Sequence, residues 1–114
     1  MKQKKVVITG MGALAPNGNS VDDYWLAIKS GTSGIAPISY FDTSDHRVTI
    51  AGELKNFDPN QFIEKKEIRK LDPFSIYALS AAQEAIDSSN LNFKNINLDR
   101  AGVIIATGIG GIRT

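Results

Sequence analysis

From Pro73 onward, Phe74, Tyr77, Ala78, Ala81, Ala82, Ala85 and Ile86 recur at helical spacing. One face of the helix they predict is apolar, and most of that face is alanine. Asp72-Pro73 is a strong start for it. Asp suits the N-cap, and proline suits the first helical position, where its missing N–H costs nothing. Ser89-Asn90 marks the end. Small side chains let a helix approach another backbone closely, so the pattern predicts a helix buried among other elements.

Two β-branched runs stand on either side of this helix. Lys5 to Thr9 is bounded by Gly10, and Gly102 to Ala106 is bounded by Thr107-Gly108-Ile109-Gly110-Gly111. Short apolar runs of this kind predict fully buried strands. Between them Ser20 is an N-cap signal, with Asp23 at the capping-box position and Asp22 also in the electropositive first turn. Val21, Trp25 and Ile28 follow at helical spacing, which places Trp25 in the core, and Gly31 closes the helix. Residues 31–60 read as irregular with a short strand over Val48 to Gly52, and Gln61 to Lys70 as one or two charged helical turns. Polar Asn92 to Arg100 links to the second run. The order strand, helix, loop region, helix, strand predicts an α/β arrangement with parallel strands and right-handed crossovers. Two strands make an incomplete sheet, and an alanine-lined helix needs cover, so the 114 residues are expected to be a piece of a larger protein.

The totals exclude several chemistries. Apolar residues are 42% of the chain, enough for a core. Net charge is +1, so no global field favours nucleic acid or an acidic membrane. There is no Cys, hence no disulfide, thiolate metal site or thiol nucleophile. His46 is the single histidine, which excludes a His pair on a metal, and it reads as an exposed loop residue. No apolar run is long enough to span a bilayer. The charged start Met1-Lys2-Gln3-Lys4-Lys5 is followed only by Val6-Val7-Ile8, too short for a signal peptide, so a cytoplasmic location is expected.

Three local patterns carry chemistry in principle. Gly10-Met11-Gly12-Ala13-Leu14-Ala15 matches the dinucleotide pattern G-x-G-x-x-A. That mechanism needs a helix N-terminus at the glycines, whereas Pro16-Asn17-Gly18 intervenes and the capping signal comes at Ser20. The alternative is a tight glycine turn. Gly108-Ile109-Gly110-Gly111 presents backbone N–H groups suited to phosphate, but Arg113-Thr114 has the wrong spacing for a P-loop, and close backbone packing explains the glycines equally. Lys65, Lys66, Arg69 and Lys70 fall at overlapping i, i+3 and i+4 positions. They make either a basic docking patch or a solvated face tempered by Glu64 and Glu67.

Taken in order, Val6-Val7-Ile8-Thr9-Gly10-Met11-Gly12, Pro16-Asn17-Gly18-Asn19-Ser20, the Trp25 helix, Gly31-Thr32-Ser33-Gly34-Ile35, Phe41-Asp42-Thr43-Ser44, Ala51-Gly52, Arg69-Lys70-Leu71-Asp72-Pro73-Phe74 and Thr107-Gly108-Ile109-Gly110-Gly111 form an ordered set. The set resembles the N-terminal part of the β-ketoacyl-acyl carrier protein synthases, in particular the type II elongating synthases of fatty acid synthesis. The resemblance implies residues 1–114 of a thiolase-like layered fold, a mixed sheet with helices around a buried central helix, incomplete and ending before the catalytic residues. It implies a homodimeric parent that performs decarboxylating Claisen condensation of an acyl thioester with malonyl-acyl carrier protein, with no nucleotide or redox cofactor and no metal. In such enzymes a Cys takes the acyl group and two His assist. None of these three matches a residue here, so no catalytic residue is carried over and the chain alone is expected to be inactive. Ile109 resembles the gate of the acyl pocket, and Lys65, Lys66, Arg69 and Lys70 resemble the surface that meets the acidic carrier protein. Two rivals stand beside this reading: a non-catalytic fragment that binds carrier protein or dimerises, and a piece of a polyketide-type ketosynthase. The start at Met1 with no fused domain before it favours the stand-alone fatty acid enzyme.

Overall fold

The structure, a computed structural model, describes residues 3–112. Met1 and Lys2 of the charged start, and Arg113-Thr114 after the last glycine turn, lie outside the described residues.

Three α-helices and one two-stranded sheet are formed among the described residues. Helix α1 covers Val21–Ser30. The Ser20 hydroxyl accepts the Asp23 N–H at 3.1 Å, which satisfies one of the donors a helix start leaves unpaired. At the other end Gly31 takes the left-handed conformation, φ 70°, and its N–H reaches the last carbonyls. Helix α3 covers Pro73–Ser89, with Asp72 at the N-cap, Pro73 at the first position and Asn90 left-handed at the C-cap. Both helices thus begin and end where the capping residues place them.

The charged stretch 61–70 holds one α-helical turn, within the one or two its spacing predicts. A 3₁₀ turn, Pro59–Gln61, is followed by a four-residue helix α2, Lys65–Ile68. The segment between α3 and the second β-branched run holds two more 3₁₀ turns, Phe93–Asn95 and Leu98–Arg100, capped by the side chains of Asn92 and Asn97.

The sheet differs most from expectation. Strand β1, Ala36–Pro37, pairs antiparallel with β2, Ile50–Ala51, in the register Ala36↔Ala51 and Pro37↔Ile50. The predicted strand over 48–52 is therefore present in its centre. Its partner lay unseen in the irregular region because Pro37, with no N–H to give, suits only an edge. Neither Lys5 to Thr9 nor Gly102 to Ala106 is a strand here. These runs were expected to be buried. Instead Val6 is 95% exposed, Ile8 84% and Ile104 97%. A parallel strand is stable only with backbone partners on its edges and cover on both faces, and the described residues supply neither.

The core is correspondingly thin. Ala27 and Ile76 are its buried apolar residues, and Ser80 is the most buried side chain at 1% exposure. The Ser80 hydroxyl is satisfied by donating to the Ile76 carbonyl at 2.9 Å, one turn back in α3. The alanine stripe itself is half-buried. Trp25, placed in the core by its spacing, is 57% exposed, with the Lys29 ammonium 5.8 Å from its ring centre. The Cα radius of gyration is 17.5 Å, against about 13 Å for a compact domain of this length. Apolar surface on α1 and on both β-branched runs is left open to further packing.

Candidate functional site

The central contact lies between the first glycine turn and α3. Residues 10–13 run across the α3 face formed by Ala81, Glu84, Ala85 and Ser88. A Cβ at Gly10 would fall 2.1 Å from the Ala85 carbonyl oxygen, and one at Gly12 only 1.8 Å from that of Ala81. The glycines and the alanines answer one another: each set removes the side chain that would hold the two backbones apart. Hydrogen bonds fix the register. Ser88 Oγ accepts the Met11 N–H at 3.0 Å and lies 3.1 Å from the Met11 carbonyl. Glu84 Oε2 accepts the Ala13 N–H at 2.9 Å, and Oε1 accepts the Val21 N–H at 2.8 Å. One carboxylate therefore joins the glycine turn, the positive end of α1 and the middle of α3, a position that favours negative charge. Of the two readings of Gly10-Met11-Gly12, the close-packed turn is the one this geometry fits.

The second glycine turn, Thr107 to Gly111, is held by the Gly110 N–H on Thr107 Oγ1 at 3.2 Å and by the Ile112 N–H on the Gly110 carbonyl at 3.0 Å. Gly110 has φ 78°, a conformation that favours glycine. Beside it is a cleft of about 320 Å³ whose walls include Tyr40, Leu54, Phe74, Tyr77, Gly110 and Gly111. Ile109 is 79% exposed and is not among the residues that line that cleft.

The basic residues sit together on and just after α2. Lys65, Lys66, Arg69 and Lys70 are all exposed. Lys70 Nζ pairs with Glu67 Oε1 at 2.8 Å, the salt bridge found among the described residues. Exposed pairs of this kind contribute about 0–1 kcal/mol. Lys65, Lys66 and Arg69 leave their charge facing solvent, where it is available to steer an acidic partner.

The region between α1 and α2 holds the shifted carboxyls. Hydrogen bonds from the Ser39 hydroxyl, then from the Ser39 and Tyr40 backbone, hold the Glu53 carboxyl below its usual range, with the charge of Lys55 adding in the same direction. The Ser44 backbone and hydroxyl do the same for Asp42, and Asn60 does so for Asp58. These are loop-shaping contacts, on exposed groups at Asp42 and Asp58 and on a half-buried residue at Glu53. His46 is exposed in the β1–β2 loop, its ring 5.4 Å from that of Phe41. Among the described residues no group of three His, Cys, Asp or Glu is placed to hold a metal, and no helix is long and apolar enough to cross a membrane.

Sequence reasoning passed over Glu84 and Ser88. A signal for Glu84 was present: it is the one charged residue between Pro73 and Ile86. A lone acid on an alanine face has a partner to meet.

Comparison with known proteins gives the same parentage by three routes. Residues 3–114 match the family described as Beta-ketoacyl synthase, N-terminal domain. The chain is 43% identical over 113 residues to 3-oxoacyl-[acyl-carrier-protein] synthase 2 of Synechocystis sp., and 47% identical over 113 residues to the protein of that name in Staphylococcus aureus. Each alignment covers 99% of this chain and 27% of the relative, so the chain spans about a quarter of the length of the curated relatives it matches. Among solved structures, the ishigamide ketosynthase/chain length factor superposes with a TM-score of 0.71 at 30% identity, over 79% of this chain and 22% of that one. The type II PKS ketosynthase AntDE, in complex with its acyl-carrier protein AntF, superposes with a TM-score of 0.63 at 29% identity, over 86% of this chain and 24% of that one. The chain belongs to the β-ketoacyl synthase family, and what it matches is that family's N-terminal domain.

Proposed function

We propose that residues 1–114 are the opening portion of a condensing enzyme that elongates acyl chains on a carrier protein, and that this portion contributes scaffold and docking surface rather than reacting groups. In the whole enzyme the acyl group passes from its carrier thioester to a Cys thiolate. Malonyl-carrier protein then loses CO₂, the resulting carbanion attacks the acyl carbonyl, and the Cys leaves as thiolate. The present chain, with no Cys, performs neither step alone. Ile109 acts as a gate to the acyl pocket, the parent is a homodimer, and the protein works in the cytoplasm.

The observation that carries this reading is the exposed cluster Lys65, Lys66 and Arg69 on a chain of this family. A solved relative is a ketosynthase bound to its acyl-carrier protein, which supports a carrier protein as the acidic partner here. Identity of 43–47% to the synthase 2 proteins, against 29–30% to the two ketosynthase structures, favours fatty acid elongation over a polyketide role. Charge reversal at Lys66 and Arg69 in the complete enzyme tests the reading. The KM for carrier-bound substrate rises about tenfold or more while the KM for pantetheine-bound substrate is unchanged. Equal kinetics on both substrates before and after the change would refute it.

A second reading, a non-catalytic binding fragment, is favoured by one observation. Lys65, Lys66 and Arg69 all stand exposed within these residues, which supports carrier-protein binding without the rest of the enzyme.

A further inference from the structure

Between α1 and the β1–β2 hairpin three loops meet at one ammonium group. Lys55 Nζ donates to the Gly34 carbonyl at 2.7 Å and the Pro16 carbonyl at 3.1 Å, with the Glu53 carbonyl at 3.5 Å. A lysine ammonium has three N–H groups and no acceptor, so three carbonyls match its capacity, the third weakly. The surroundings tighten the same junction. The Pro16 ring fills the space that a side chain at Gly34 or Gly52 would need: a Cβ there would lie 2.6 Å from Pro16 Cβ and 2.8 Å from Pro16 Cγ, respectively. Asn17 Nδ2 donates to the Thr32 carbonyl at 3.1 Å, and Asn19 Nδ2 donates to the Lys55 carbonyl at 2.8 Å. The junction is therefore backbone oxygen around one positive charge, at a side chain that remains accessible.

We infer that this carbonyl cluster is a monovalent-cation cage filled by the protein's own Lys55, and that Lys55 is the positioning residue that sets the β1–β2 hairpin against the 15–19 turn. The hairpin loop carries Tyr40, and Leu54 follows β2; both wall the cleft beside Gly110 and Gly111, so the cage fixes one side of that cleft. The ligand class is an ammonium-like cation. A neutral side chain of similar length takes away the ammonium that draws the three carbonyls together, and the hairpin loosens.

The full chain in its native state gives the first test, through the rate at which an amine-reactive acylating reagent labels each lysine. Lys55 labels about tenfold or more slowly than Lys65 and Lys66, because attack requires its nitrogen to leave the carbonyls. The second test is hydrogen exchange in Lys55→Ala. Exchange at the Gly18 and Ile38 amides, which bond to the Ala15 and Thr49 carbonyls, speeds up about tenfold or more, and ammonium chloride restores protection where tetramethylammonium chloride at equal ionic strength does not. Lys55→Arg, which keeps the charge and the donors, retains most of the protection. Labelling of Lys55 as fast as Lys65, unchanged exchange in Lys55→Ala, or faster exchange that ammonium leaves untouched would each overturn the inference. The labelling arm uses the unaltered protein, so misfolding of the variant does not shield the proposal.

Discussion

Replacement of Gly12 by alanine forces the closest clash that an added Cβ meets at the described glycines. An added Cβ would lie 1.8 Å from the Ala81 carbonyl oxygen, 2.8 Å from the Ala81 carbonyl carbon and 3.0 Å from the Ala85 nitrogen. All three are helix backbone, so no rotamer change relieves the clash. A carbon and a carbonyl oxygen rest about 3.3 Å apart at closest, so the turn must lift off α3 by roughly 1.5 Å. Overpacking of this kind costs about 1–3 kcal/mol. The lift also stretches the Ala13–Glu84 and Met11–Ser88 hydrogen bonds, and those made to a charged group contribute about 1.5–3 kcal/mol each. Against this, Gly→Ala stiffens the unfolded chain by about 0.4–1 kcal/mol. The net expectation is a loss of about 3 kcal/mol. Gly102→Ala is the matched control, because a Cβ there meets nothing within 4 Å; it is neutral or stabilises by a fraction of a kcal/mol. Urea unfolding of the full chain, with hydrogen exchange at Ala13 and Val21, reads both. Equal stability of Gly12→Ala and the parent, or equal damage from Gly102→Ala, would refute the packing argument.

Two further outcomes follow from named contacts, and a third from the proposed gate. Glu84→Ala leaves the Ala13 and Val21 N–H groups without their acceptor, costing about 2–4 kcal/mol, and Glu84→Gln, which keeps one acceptor oxygen, loses about half as much; urea midpoints of the two variants measure the difference. Glu53 titrates lower when folded than when unfolded, so its contribution is fully present above its ordinary pKa of 4.5, declines as pH falls, and is gone below the folded value. An amide NMR titration follows this at Ser39, whose shift moves with a midpoint below 4.5; a midpoint at or above that value would contradict the Ser39–Glu53 contact. In the complete enzyme Ile109→Phe shortens the longest acyl chain accepted, measured by product chain length, and leaves the shortest substrates unaffected; an unchanged product profile removes Ile109 from the gate role.

What the sequence disclosed and what it hid divide along a physical line. Helix ends were legible because Ser20, Gly31, Asp72, Pro73 and Asn90 act within a few residues of themselves. The alanine stripe announced close packing, and the structure supplies the partner, Gly10 to Ala13. The fate of Val6 to Ile8 and Val103 to Ile105 was not legible, because β-branched composition states a need for neighbours without supplying them. Trp25 was misplaced for a related reason: helical spacing identifies an apolar face, but not whether anything lies against it. Strand β1 escaped because two residues, one a proline, give no periodicity. Lys55 gave no signal at all, since its acceptors are main-chain oxygens that any sequence possesses. Among the site residues, the basic set was found by its helical spacing and stands exposed and together, whereas Glu84 needed the question of what a solitary acid is for.

The proposed function sets an acidic carrier protein against the basic α2 surface. Titration of the isotopically labelled chain with acyl carrier protein, at low and at moderate salt, addresses this directly. Amide shifts confined to residues 64–71 that weaken as salt rises are the predicted result. Shifts that miss α2, or that persist unchanged at the higher salt, would contradict it.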